Sequence, residues 1–133
     1  MIVVRLKGGL GNQLFQYGFG RALSIMKSSP LVFDKTWYFV NALTRSATPR
    51  RLVLDRFRIR DCSIKLMPVK YYLMEKKNRS GQLPRMHDMI FISENRQNNI
   101  DEICRTDNCY FDGYWQNCLL QNITPRVQGA KRG

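Results

Sequence analysis

Ile2-Val3-Val4-Arg5-Leu6, then Lys7-Gly8-Gly9-Leu10-Gly11-Asn12-Gln13, then Leu14 through Lys27 read in that order as a strand, a tight loop and a helix. Ile2, Val3, Val4 and Leu6 form the short β-branched run of a strand buried in a parallel sheet, and three glycines close it. From Asn12 the apolar positions Leu14, Phe15, Gly18, Phe19, Ala22, Leu23 and Met26 recur at helical spacing and predict one broad buried face. Asn12 is the expected N-cap, its side-chain oxygen meeting a backbone N–H. A loop without Cβ atoms lets a ligand approach its backbone closely. The first amides of the helix and its dipole favour an anion there by about 0.3–1 kcal/mol, so a phosphate, diphosphate or carboxylate is the expected visitor. A plain turn from strand to helix uses the same glycines, and spacing alone does not separate the two readings.

A dinucleotide fingerprint needs Gly-x-Gly-x-x-Gly, and Gly9-Leu10-Gly11-Asn12-Gln13-Leu14 puts leucine at the third glycine. Asp34, near the end of the second strand, stands where a ribose-binding acid would.

The chain of 133 residues, 44% hydrophobic, suits one domain that buries about two-thirds of its unfolded surface. No apolar run approaches the roughly 18–20 residues of a membrane span, and no signal-peptide core follows Met1, so a cytoplasmic protein is expected. Cys62, Cys104, Cys109 and Cys118 form no Cys-x-x-Cys pair, and His87 is the single histidine; this argues against zinc and for free thiols. The net charge is +12, and residues 1 to 60 carry eleven lysines and arginines against only Asp34 and Asp55. Such a field draws anionic partners: a nucleotide sugar, lipopolysaccharide, an anionic inner-membrane surface or nucleic acid. Arg45, Arg50, Arg51, Arg56, Arg58 and Arg60 also fit a merely solvated face.

Ser28-Ser29-Pro30 stops the helix, and Leu31 to Phe33 makes the second strand of a strand-helix-strand unit. A helical turn is expected from Trp37 to Leu43, with Trp37, Tyr38 and Phe39 packing on the domain or lining a sugar platform. Arg51 to Ile59 alternates apolar and polar residues and predicts a strand, as does Cys62 to Ile64. A helix over 69 to 78, a turn from Asn78 to Pro84, a strand from Met89 to Ile92 and a helix around Ile100 to Arg105 follow. Cys109 to Phe111 repeats the opening device: a short strand, Gly113, and a helix from Tyr114 to Gln121. Asp112, Tyr114, Trp115 and Gln116 thus fall at the carboxyl edge of the sheet, where they are candidates for a sugar contact; Asp112 serves equally as a helix cap. Residues 122 to 133 read as a disordered tail after a Rossmann-like α/β domain of residues 1 to 121.

Lys7-Gly8-Gly9-Leu10-Gly11-Asn12-Gln13-Leu14-Phe15-Gln16-Tyr17, with Phe19 to Leu23 behind it, resembles the amino-terminal signature of the bacterial α-1,2-fucosyltransferases. Leu52 to Phe57 is similar to that family's Leu-Asp-x-Phe segment, and Tyr110 to Gln116 to its Phe-Asp-Gly-Tyr-Trp-Gln segment. The resemblance implies a GT-B-type architecture of two facing Rossmann-like domains, of which this chain is the first. It also implies transfer of fucose from GDP-fucose to the 2-hydroxyl of a galactose-terminated glycan, with inversion and without a metal. Gly8, Gly9, Leu10, Gly11, Asn12 and Gln13 would then bind substrate, and Asn12 would stabilise the leaving group. The family's nucleotide-sugar motif, His-x-Arg-Arg-x-Asp, is absent from this sequence, which reads as a fragment of low activity on its own. Two other readings stay open: a small basic protein binding single-stranded nucleic acid through residues 37 to 60, and half of a dinucleotide-dependent oxidoreductase.

Overall fold

The computed structural model describes residues 1–44, 50–68, 85–86, 89–94 and 108–116. Its centre is β1 (Ile2–Arg5), buried at every position. A run of branched apolar residues with no polar alternation has no solvent face to offer, so it goes to the middle of the sheet. β2 (Leu31–Asp34) pairs parallel on one side of it, Ile2 opposite Leu31, and β6 (Cys109–Asp112) pairs parallel on the other, Ile2 opposite Cys109. β3 (Ser63–Lys65) extends the sheet beyond β2, while β5 (Met89–Ser93) and β4 (Arg85–Met86) extend it beyond β6, giving the order β3-β2-β1-β6-β5-β4. Five strands are parallel and β4 alone runs antiparallel, in a hairpin with β5. This is a Rossmann-like α/β sheet.

Helix α1 (Leu10–Lys27) covers one face, and the two-residue period of the strands decides what meets it. Ile2, Val4, Leu6, Leu31, Phe33, Cys109 and Phe111 pack with Phe19 and Leu23 of the helix, whereas Val3, Val32, Phe91 and Tyr110 form a second cluster. The buried stripe of α1 is Gln13, Gln16, Phe19, Gly20, Leu23 and Ser24. The predicted stripe is therefore rotated: Leu14 is 45% exposed, because the two glutamines turn inward to satisfy buried backbone groups. Gly20 brings the helix against Leu31 and Phe33; a Cβ there would stand 3.1 Å from both side chains. The helix ends at Ser28, left-handed with φ 46°, whose N–H donates to the Ile25 carbonyl.

The expected helical turn is α2 (Thr36–Leu43). The strand expected from Arg51 to Ile59 does not form. The Gln13 side chain takes the carbonyl of Arg51 and the N–H groups of Val53 and Leu54, the groups a ladder would need, and a 3-10 turn follows at Leu54–Arg56. Cys62 and Cys109 are free thiols, and burial pushes the Cys62 thiol up. The helices expected at 69 to 78 and 100 to 105, the turn before Pro84, and the tail lie outside the described residues. Among the described residues no helix is long and apolar enough to cross a membrane.

Candidate anion site at the carboxyl edge of the sheet

β1 leads through α1 to β2 on one side, while its other neighbour, β6, arrives from the opposite half of the sheet. The loops leaving β1 and β6 therefore lie side by side at the carboxyl edge of the sheet, the edge where open α/β sheets take ligands. Leu6 continues the ladder by donating to the Asp34 carbonyl, and Gly8, at φ 79°, turns the chain. The first helical acceptor is the Gly9 carbonyl, bonded by the Gln13 N–H at 3.0 Å. Gly9 is thus the N-cap, and the expectation for Asn12 is corrected: two glycines let the helix start early, placing Asn12 inside the first turn.

No side chain among the described residues caps this helix. Gly9 has no side chain to do so, and the first turn holds no acid. Among the described residues the amides of Leu10, Gly11 and Asn12 have no acceptor. The Gly8 carbonyl, by contrast, is held from within by Gln13 Nε2 at 3.2 Å and the Tyr38 hydroxyl at 2.8 Å. Burial pushes the Tyr38 phenol well above its usual range, so it remains a donor. The Arg50 guanidinium lies over Gly9, its Nη1 3.3 Å from where a Cβ would stand. The result is a loop with bare amides beside one exposed cation, an arrangement that binds phosphate-like anions.

The other basic residues at this edge are already committed. Arg5 is buried beneath the Phe91 and Tyr110 rings, with Nε on the Tyr110 hydroxyl at 3.0 Å and Nη1 on Asp112 Oδ2 at 3.1 Å. Lys7 Nζ lies 3.0 Å from Asp112 Oδ1, an ionic contact outside hydrogen-bond alignment, and 4.9 Å above the Tyr114 ring. The Tyr110 hydroxyl donates to Asp34 Oδ2, and burial pushes that phenol up too. Two cations and two carboxylates balance, which is what permits their burial.

Of the residues expected to bind substrate, the structure keeps some open and removes others. Gly9, Leu10, Gly11, Asn12, Tyr114 and Gln116 line the accessible edge, with Gln116 Nε2 donating to Asn12 Oδ1 at 3.0 Å across the two loops. Gly8 shapes the turn. Gln13 is fully buried: its Nε2 donates to the Gly8 and Arg51 carbonyls and its Oε1 accepts from the Val53 and Leu54 amides, so its polar atoms are engaged within the chain. Trp115 is 1% exposed, stacks on Phe19 at 4.3 Å and stands edge-on to Phe111, and its Nε1 has no partner among the described residues. Asp112 is 3% exposed and held between two cations. Glu94 accepts from the Tyr114 and Trp115 amides at 2.6 and 2.9 Å; neither of these residues is helical, and the rest of the helix expected from Tyr114 to Gln121 lies beyond Gln116, outside the described residues. Asp34 is 1% exposed and bonded to Thr36, so the ribose contact of the dinucleotide reading has no surface to use.

Glu94 has no signal in the sequence, and Arg50 and Tyr38, read there as part of a basic field and as a platform or packing aromatic, are placed here at the glycine loop. A Cβ on Gly113 would stand 2.5 Å from the Glu94 Cβ, so Gly113→Ala is expected to push the clamp away and cost about 1–3 kcal/mol, read as a lower urea midpoint. Among the described residues no three His, Cys, Asp or Glu side chains gather as a metal site would require. No family model matches the chain, and no curated protein or solved structure matches it.

Proposed function

We propose that this chain forms the glycine-loop wall of a GT-B-type inverting fucosyltransferase, which moves fucose from GDP-fucose to the 2-hydroxyl of a galactose-terminated glycan. One observation carries the reading: the three segments with family likeness are wired to one another. Gln13 joins the loop to residues 51 to 54, Gln16 joins the Lys7 amide to the Gly113 carbonyl, and Asn12 meets Gln116. Three blocks far apart in sequence thus build a single edge around the bare amides.

In the reaction, the bond from the fucose anomeric carbon to the diphosphate breaks as the galactose oxygen attacks the opposite face. Negative charge grows on the departing diphosphate, so fixed donors at Leu10, Gly11 and Asn12, with Arg50 beside them, stabilise the transition state more than the ground state. The acceptor's proton goes to a base other than Asp34 or Asp112, since both are buried and already bonded. With His-x-Arg-Arg-x-Asp absent from the sequence, binding is the informative measurement.

Calorimetric titration of the 133-residue chain with GDP should show one site that inorganic pyrophosphate competes for and guanosine does not. Gly11 has open space where a Cβ would stand, so Gly11→Ala should keep or raise stability by up to about 1 kcal/mol through helix propensity. The same methyl would fence the amides, weakening GDP by about tenfold or more. Unchanged GDP affinity in this variant removes the loop from the site.

A further inference from the structure

The segment from Arg50 to Asp61 is a strap with two unlike sides. Inward, Leu54 is fully buried, Leu52 and Ile59 pack on the main core, and Gln13 bolts the backbone at residues 51, 53 and 54. The 3-10 turn adds Arg56 N–H to Val53 O and Phe57 N–H to Leu54 O, and Ile59 N–H reaches Phe57 O. Outward, Arg50, Arg51, Arg56, Arg58 and Arg60 are all exposed, and Phe57 among them is 50% exposed with no ring contact among the described residues. Asp55 and Asp61 are the strap's only acids; Asp61 sits 3.7 Å from Arg21, and no described acid pairs with any of the five arginines.

We infer that this strap is a docking surface for an anionic lipid bilayer, with Phe57 entering the interface and Arg56, Arg58 and Arg60 resting on the headgroups. The excess of guanidinium groups selects a negatively charged partner. The lone phenylalanine selects one with an apolar layer directly beneath its charges, and a bilayer has that profile. Single-stranded nucleic acid takes a succession of aromatic platforms along a groove, whereas the strap offers one exposed ring on a pinned backbone. Because the inward anchors fix the strap, it meets the surface without a further ordering cost. Phe57, Arg56, Arg58 and Arg60, the residues that meet the bilayer, lie apart from those placed at the glycine loop.

The test is co-sedimentation of the full chain with phosphatidylcholine vesicles, with and without phosphatidylglycerol. Partition onto the anionic vesicles should exceed that onto neutral ones by at least tenfold and fall with added salt. The triple variant Arg56→Gln, Arg58→Gln, Arg60→Gln should lose on the order of a hundredfold, at about fivefold for each arginine. Phe57→Ala should lose roughly tenfold. All four side chains are exposed, so far-UV circular dichroism and the urea midpoint should match the parent. Equal partition onto both vesicles, no partition, or indifference to these substitutions overturns the inference. Tighter binding to a single-stranded oligonucleotide that depends on the same residues overturns it as well, and gives the strap to nucleic acid.

Discussion

Replacing Arg5 with methionine is expected to lower the stability of the fold by about 3–5 kcal/mol, a large part of what a small domain has. The size follows from what remains. Methionine fills much of the space that Arg5 occupies against the stacked Phe91 and Tyr110 rings, so little is lost in packing. Asp112 and Asp34 stay buried, now with Lys7 as their only cation and the Tyr110 hydroxyl without its Arg5 partner. An uncompensated buried charge, not a missing contact, is the source of the loss. The double variant Arg5→Met, Asp112→Asn removes one charge of each sign and should recover most of the stability. Urea unfolding of both variants checks the pair, and a double variant no better than Arg5→Met would show that shape, not charge balance, governs this site.

The second large effect is expected at Gln13. Alanine there strands the Val53 and Leu54 amides and the Arg51 carbonyl, while the Gly8 carbonyl keeps Tyr38. Each buried orphan costs about 1–3 kcal/mol, and water reaching the half-buried Val53 recovers a part, so about 2–4 kcal/mol is expected in total. Hydrogen exchange gives the specific reading. The amides of residues 53 and 54 should exchange much faster than those of β1, since the strap would be released before the sheet opens. Exchange that speeds up uniformly would mean that Gln13 serves the whole core and not the strap.

These two residues also show where sequence reading stops. β1, β2, β5 and β6 follow from short apolar runs whose meaning is local, and α1 follows from its period, because each pattern is written in neighbouring residues. Gln13 belongs to a different class. A side-chain amide facing a ligand and one facing a backbone segment forty residues away have the same sequence context, so the sequence does not show that Gln13 bolts the strap. Trp115 misled for the converse reason. Its setting after a strand resembled an exposed aromatic platform, but a left-handed φ of 61°, imposed with Glu94 on its amide, swings the indole into the core. Arg5 did carry a signal: a charge inside Ile-Val-Val-Arg-Leu must be paired if the strand is central. The identity of its partners, 105 and 107 residues away, is a property of the assembled sheet.

The pairing of β1 with β6 has a consequence for how the protein is made. Ile2 leaves the ribosome more than a hundred residues before its partner Cys109. At about 5–20 residues per second, the central strand waits roughly 5–20 s with one unpaired edge. Over that interval the nascent polypeptide exposes a template for another strand, so a newborn chain depends on holding factors, or on dilution, until its last neighbour arrives.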